Sequence, residues 1–180
     1  MELRTEPTAG VACVWNSLSL AELIAHLISQ HHEYLRIELP RLQQRLYTVY
    51  ETYRAQDSAT LASLPGLLFL MKDDLDLHMR KEELVLFPAI KQLEREAAAS
   101  SSLSSRIRTM LSEHDSTAEA LSDIRRTTRD YQLPSHACDR YRALFQDFET
   151  LERRLQFHMY LEENVLFPRA LSLESQRCPV

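Results

Sequence analysis

From Leu20 to about Arg54, apolar residues return every three or four positions, first as Leu20, Leu23, Ile24, Leu27 and Ile28, then as Leu35, Leu39, Leu42, Leu46 and Val49. That spacing lays one apolar stripe along a helix. Ser19, with Glu22 three residues on, forms a capping box at its start. Pro40 falls inside the pattern and predicts a kink or a split near Leu39. After a break at residues 56–60, a second amphipathic segment has Pro65 near its start and Leu67, Leu68, Leu70, Met71, Leu75, Leu77 and Leu86 along it. Pro88 is expected to kink its last turns. The stretch AAASSSLSS from Ala97 to Ser105 is small, polar and without period, and reads as a central loop. A third helix is predicted over residues 105–130, a turn at Pro134, and a fourth helix over residues 135–170. Tyr141, Leu144, Phe145, Phe148, Leu151, Leu155 and Phe157 are the core candidates of that last helix. Four helices with short connections predict an all-α, up-down-up-down four-helix bundle over residues 19–171. Residues 1–18 are then an N-terminal extension and residues 172–180 a C-terminal tail.

Composition agrees with this and narrows the function. A chain of 180 residues has room for one full core. Its 2 glycines leave almost no material for hairpin turns, and they exclude phosphate-binding and dinucleotide-binding glycine loops. No Ser-His-Asp set is visible either. A formal charge of -5 and a pI near 5.8 argue against a nucleic-acid groove or an anionic membrane surface. Cys13, Cys138 and Cys178 are odd in number and scattered, so neither a disulfide framework nor a thiolate metal site is expected. The opening MELRTEPTAGVACVW has no basic start followed by an apolar run, and no stretch approaches the ~20 residues of a membrane span. A reducing, cytoplasmic setting fits these features.

The chemistry lies in a repeat. Residues 78–88 read HMRKEELVLFP and residues 158–168 read HMYLEENVLFP, identical at eight of eleven positions. Core packing would retain the apolar positions without also retaining His, Glu, Glu and Pro. Residues i and i+4 of a helix share a face, so His78 and Glu82 can reach one point, as can His158 and Glu162. The second acids, Glu83 and Glu163, are rotated away and are assigned to the rim or solvent, or to contacts behind the ligands. Each motif also has a histidine-bearing helix upstream, HHEYLR at 31–36 and EHDSTA at 113–118. The separations are alike, 46 residues from His32 to His78 and 44 from His114 to His158. Two helical hairpins of one design would place four imidazoles and two carboxylates in the interior.

Buried imidazoles and carboxylates are tolerated when paired or coordinated. Imidazole suits iron, zinc, copper and nickel, whereas an all-carboxylate site would suit magnesium or calcium. Two carboxylates among four imidazoles predict two metals bridged by Glu82 and Glu162, each with two histidines and room for a shared oxo or hydroxo group. Surface i,i+4 ion pairs, worth only ~0.2–0.5 kcal/mol each, would not explain the repetition. His26 and His136 are read as ordinary histidines, and His31 is ambiguous, with the spacing match favouring His32. Phe87 and Phe167 are read as core that keeps water from the metals. Asp74 and Glu113 are candidates to accept imidazole N–H groups.

With these residues in place, the chain resembles the hemerythrin-like HHE cation-binding domains, and more closely the di-iron domain of the Repair of Iron Centres family. The resemblance rests on WNSLSLAELIAHL at 15–27, HHEYLRIELPRL at 31–42, HMRKEELVLFPAI at 78–90, SEHD at 112–115 and HMYLEENVLFPRAL at 158–171. It implies a hemerythrin-like bundle and two non-haem irons held by His32, His78, Glu82, His114, His158 and Glu162. It further implies repair of iron-sulfur clusters damaged by nitric oxide or oxidants, with iron donated from the protein's own site to iron-sulfur proteins. An oxygen or nitric oxide sensor or carrier, and a nitric oxide or peroxide reductase, are the alternatives, with a monomer or homodimer expected. The additional histidine of oxygen-carrying hemerythrins is not evident. Two departures stand out: full-length members carry a small cysteine-containing N-terminal domain where about 18 residues precede the first helix here, and Tyr47, Tyr50 and Tyr53 occupy a stretch where many members carry a histidine.

Overall fold

The computed structural model describes residues 15–95 and 103–177. Among the described residues, five helices follow in order from Leu20 onward: α1 over 20–53, the single turn α2 at Ser58–Leu61, α3 over 64–95, α4 at Leu103–Thr127, and α5 over 139–177. The capping box is formed at the start of α1, with the Ser19 side chain accepting from Glu22 N–H and Glu22 accepting from Ser19 N–H at 2.8 Å. Among the described residues no helix is long and apolar enough to cross a membrane.

Contacts between the four long helices fix their directions. Leu20 bonds Glu94, and His32 further along α1 bonds Glu83 earlier in α3, so the two run antiparallel. Arg106 with Val85 and Glu113 with His78 set α3 against α4 in the same way. Leu103 with Glu174 and Arg125 with Glu152 do so for α4 and α5, and Leu18 with Arg169 and Arg45 with Asp147 for α1 and α5. The expected up-down-up-down bundle is therefore the arrangement of the long helices.

Two apolar layers fill it. One joins Leu35, Leu39, Leu42 and Leu46 of α1 to Leu68, Met71 and Leu75 of α3 and to Phe145, Phe148 and Leu151 of α5. The other joins Leu23, Ile24 and Leu27 to Phe87, Ile90, Ile107, Leu166 and Phe167. The histidine and glutamate motifs lie along the chain between these layers, so the core brackets the site from both sides. Glu94 and Glu174, each sixteen residues after its motif histidine, accept backbone N–H bonds at the first turns of α1 and α4. Each carboxylate thereby satisfies donors that a helix start leaves unpaired and complements its positive dipole end.

Several details differ from the sequence reading. Helix α1 continues through Pro40. Pro40 sits on the exposed face, where the carbonyl it leaves unpaired is open to water. Helix α3 likewise continues past Pro88 to Arg95, and the distortion takes the form of a π turn, Glu82–Leu86, just before the proline. Helix α5 repeats this at Glu162–Leu166 before Pro168, and α1 has a third π turn at Leu27–His32. Leu70 and Leu77, grouped above with the apolar stripe of α3, are 62% and 55% exposed; the buried stripe is Leu64, Leu68, Met71, Leu75 and Met79. Phe157 is half-buried, packed on Trp15 and His31. Most of the central loop lies outside the described residues, and α4 begins at Leu103.

Helix α4 ends earlier than expected because Arg129, Asp130 and Tyr131 adopt left-handed φ values of 52°, 59° and 59°. Tyr131 then donates its hydroxyl to Glu152 at 2.7 Å, and Arg125 holds the same carboxylate through Nε and Nη2 at 3.1 and 2.7 Å. This pairing is what allows Glu152 to be only 5% exposed inside the bundle. Helix α5 starts at Asp139, four residues after the expected Ser135, and runs on to Arg177.

Candidate metal centre

The π turns position the carboxylates. At the end of each, an N–H reaches back five residues: Phe87 to Glu82, Phe167 to Glu162, and Glu33 to Ile28. A proline at 88 or 168 has no N–H for the carbonyl four residues before it, and its ring crowds that carbonyl; opening the preceding turn relieves the clash. The wider turn sets adjacent side chains closer in angle than the ~100° of an α-helix. Glu82 and Glu83 can therefore both serve the same region, as can Glu162 and Glu163.

The six residues singled out by spacing come together. Glu82 and Glu162 are fully buried, and His32, His78, His114 and His158 are at most 5% exposed. Glu82 presents Oε2 to His32 Nε2 at 3.3 Å and Oε1 to His78 Nε2 at 3.4 Å. Glu162 Oε2 faces His114 Nε2 at 3.1 Å and His158 Nε2 at 3.3 Å. For His78, Glu82, His114, His158 and Glu162, one ligand atom each lies within 4.8 Å of all the others. His32 completes the group through Glu82, and its ring centroid is 5.2 Å from that of His158. His78 and His114 form the matching pair at 5.0 Å. Phe87 stacks on His32 and Phe167 on His114, so the two phenylalanines do wall the site.

Three of the four outward nitrogens are also engaged. His32 Nδ1 lies 2.6 Å from Glu83 Oε1, His78 Nδ1 2.9 Å from Glu113 Oε2, and His114 Nδ1 3.0 Å from Glu163 Oε1. Glu83 and Glu163 are thus partners of the histidines rather than free surface acids, and of the other two candidates Glu113 takes this role. Asp74 is exposed and joins no site histidine. Arg36 holds Glu83 at 2.7 Å and Lys81 holds Glu113 at 2.5 Å, two cations that the spacing argument did not single out. A carboxylate on Nδ1 fixes the tautomer that leaves Nε2 as a ligand.

The remaining histidines lie elsewhere. His136 is exposed beside Tyr53 and Tyr141, far along the bundle. His26 is half-buried against Trp15. His31 is 6% exposed with its ring 5.4 Å from that of His158, yet it is outside the clustered ligand atoms. Cys138 is a free thiol, while Cys13 and Cys178 lie outside the described residues.

Among the described residues, nine buried side-chain N or O atoms lack a hydrogen-bond partner; apart from Trp15 Nε1, all belong to the six clustered residues. They include both oxygens of Glu82 and of Glu162, and Nε2 of His32, His78 and His114. Orphaned polar atoms are rare in a folded interior, and so many converging donors mark a cation site. The electrostatics agree. Burial, together with the negative charge of Glu82, pushes the Glu162 carboxyl well above its ordinary range. Burial alone would raise Glu82 too, but His32 and His78 hold it well below. Burial holds His158 neutral, whereas on His78 it is outweighed by Glu82, Glu162 and Glu113, which raise its pKa. Without a cation, two facing carboxylates must share a proton that a metal would displace.

The hemerythrin HHE cation binding domain matches residues 23–170. This chain belongs to that family. The hemerythrin HHE match spans all four long helices and all six clustered residues. Relatives include the iron-sulfur cluster repair protein YtfE of Escherichia coli O1:K1 / APEC and that of Shigella boydii serotype 18 (strain CDC 3083-94 / BS512). Each is 38% identical over 160 residues, covering 89% of this chain and 70% of the relative.

Proposed function

We propose that the protein is a non-haem di-iron protein that repairs iron-sulfur clusters damaged by nitric oxide or oxidative stress in the cytoplasm, acting as an iron donor to iron-sulfur proteins. The observation that carries this reading is the 38% identity to iron-sulfur cluster repair proteins across 89% of the chain, joined to a buried set of four imidazoles and two carboxylates. In this reading His32, His78, His114 and His158 are terminal ligands, and Glu82 and Glu162 bridge the two positions. Imidazole-rich sets with carboxylate bridges fit iron better than magnesium or calcium.

When bound, iron supplies a reversible ferric–ferrous couple. The chain's own residues supply the rest. Glu83, Glu113 and Glu163 orient three imidazoles, Arg36 and Lys81 pin two of those acids at the surface, and Phe87 and Phe167 exclude water. The two buried carboxylates would hold a ferric pair more strongly than a ferrous one, because the charge they would face is larger. Reduction should therefore loosen the grip.

The test compares the oxidised and dithionite-reduced loaded protein for iron loss to a ferrous chelator and for cluster assembly on an apo iron-sulfur protein. The reduced form is expected to lose iron at least an order of magnitude faster and to support assembly. A reduced protein that keeps its iron while binding oxygen or nitric oxide reversibly would make it a sensor or carrier instead. One that consumes the gas over many cycles without losing iron would make it a reductase.

A further inference from the structure

The two halves of the bundle are nearly equivalent, and one of their differences lies directly beside the site. His32 corresponds to His114 and His78 to His158. The residue before His114 is Glu113, and the residue before His32 is His31. Across the halves, Glu113 accepts from His78 Nδ1 at 2.9 Å and is itself held by Lys81. At the corresponding place on the other side, His158 Nδ1 is buried without a hydrogen-bond partner. His31 stands where the acid would be, its ring 5.4 Å away and engaged with the backbone of Arg154. Lys81 is half exposed, while its counterpart Leu161 is fully buried. An acid and its lysine have been exchanged for an imidazole and a leucine.

The ring distances assign His32 and His158 to one metal position and His78 and His114 to the other. Both imidazoles of the second position are backed by a carboxylate, but only one of the first is. A carboxylate on the outer N–H makes an imidazole a stronger base and a better donor, and losing one costs ~10–100-fold in metal affinity. We propose that the two iron positions are unequal, that the one between His32 and His158 gives up its iron first, and that His31 is the positioning residue that sets the difference. This rests on the di-iron donor reading above. One electron from a reductant converts that ferric ion to ferrous. It would leave as Fe2+ to the acceptor, with His32 and His158 remaining as neutral imidazoles and Glu82 and Glu162 available to the second position.

The full-length chain loaded with iron-57 tests this by Mössbauer spectroscopy and by dithionite-driven release to a ferrous chelator. The wild type should give two quadrupole doublets of equal area and two release phases of about one iron each, separated by roughly 10–100-fold in rate. His31→Glu offers His158 the missing acceptor and should draw the doublets together and slow the fast phase. Glu113→Gln, at a half-buried position, should instead speed the slow phase. A single doublet with single-phase release in the wild type would overturn the proposal, as would two phases that neither variant moves. If release is unequal and follows these variants but no apo acceptor is rebuilt, the donor reading fails and the inequality stands. If single-phase release still rebuilds a cluster, the reverse holds.

Discussion

Glu82→Ala and Glu162→Ala should each lower iron content from about two per chain to below one, since in the di-iron reading each carboxylate would serve both positions and its loss would remove an oxygen from each. Glu83→Ala and Glu163→Ala should keep near-normal content at saturating iron and lose only ~10–100-fold in affinity, because they act through His32 and His114. The contrast is within adjacent residues of the same helix turn, so a general effect on folding cannot produce it. The metal-free state adds a control. Glu82 and Glu162 are fully buried and face one another there, so removing either relieves a desolvated carboxylate and should not lower the stability of the apo protein by more than the small cavity it leaves. Metal analysis after gel filtration, with thermal melts of the apo forms, reads both. Equal losses within each adjacent pair would show that the inner and outer carboxylates have been misassigned.

Chelation should destabilise the wild-type protein substantially. Three imidazoles and two carboxylates converge with their inward atoms unpaired, an arrangement whose cost a bound cation would offset. A ligand present at a thousand times its dissociation constant stabilises the folded state by ~4 kcal/mol. In a domain of this size each kcal/mol moves Tm by about 2–4 °C. Stripping the metal should therefore lower Tm by about 10 °C, and restoring ferrous iron should recover it. Loading displaces the proton held by Glu162, so affinity should rise with pH. A change of less than about 2 °C would mean that the convergence serves packing rather than metal.

The long helices and the inward residues were legible because both depend on periodicity. The i,i+4 pairs His78–Glu82 and His158–Glu162 and the matched spacing to His32 and His114 survive any reasonable placement of the helices. What depends on small rotations was less legible. Glu83 and Glu163 looked turned away because an α-helix sets neighbours ~100° apart, and the π turns that bring them to His32 and His114 could not be read from period alone. Pro88 and Pro168 are the only local signals of two of those turns. The third, at Leu27–His32, has no proline directly after it and no visible cause in its sequence. Arg36 and Lys81 pass for ordinary surface cations until the acids they hold are seen in place. The contrast between Glu113 and His31 was present in the sequence, in EH against HH, but its meaning required knowing that each residue stands over the imidazole of the opposite helix.

A di-iron donor requires that this site hold two irons. The decisive measurement is elemental analysis of the protein purified from iron-replete cells, referenced to amino-acid analysis. About two irons per chain and negligible zinc are expected, from two histidines at each position with Glu82 and Glu162 shared between them. A reproducible content of one metal per chain, or zinc in preference to iron, would contradict it.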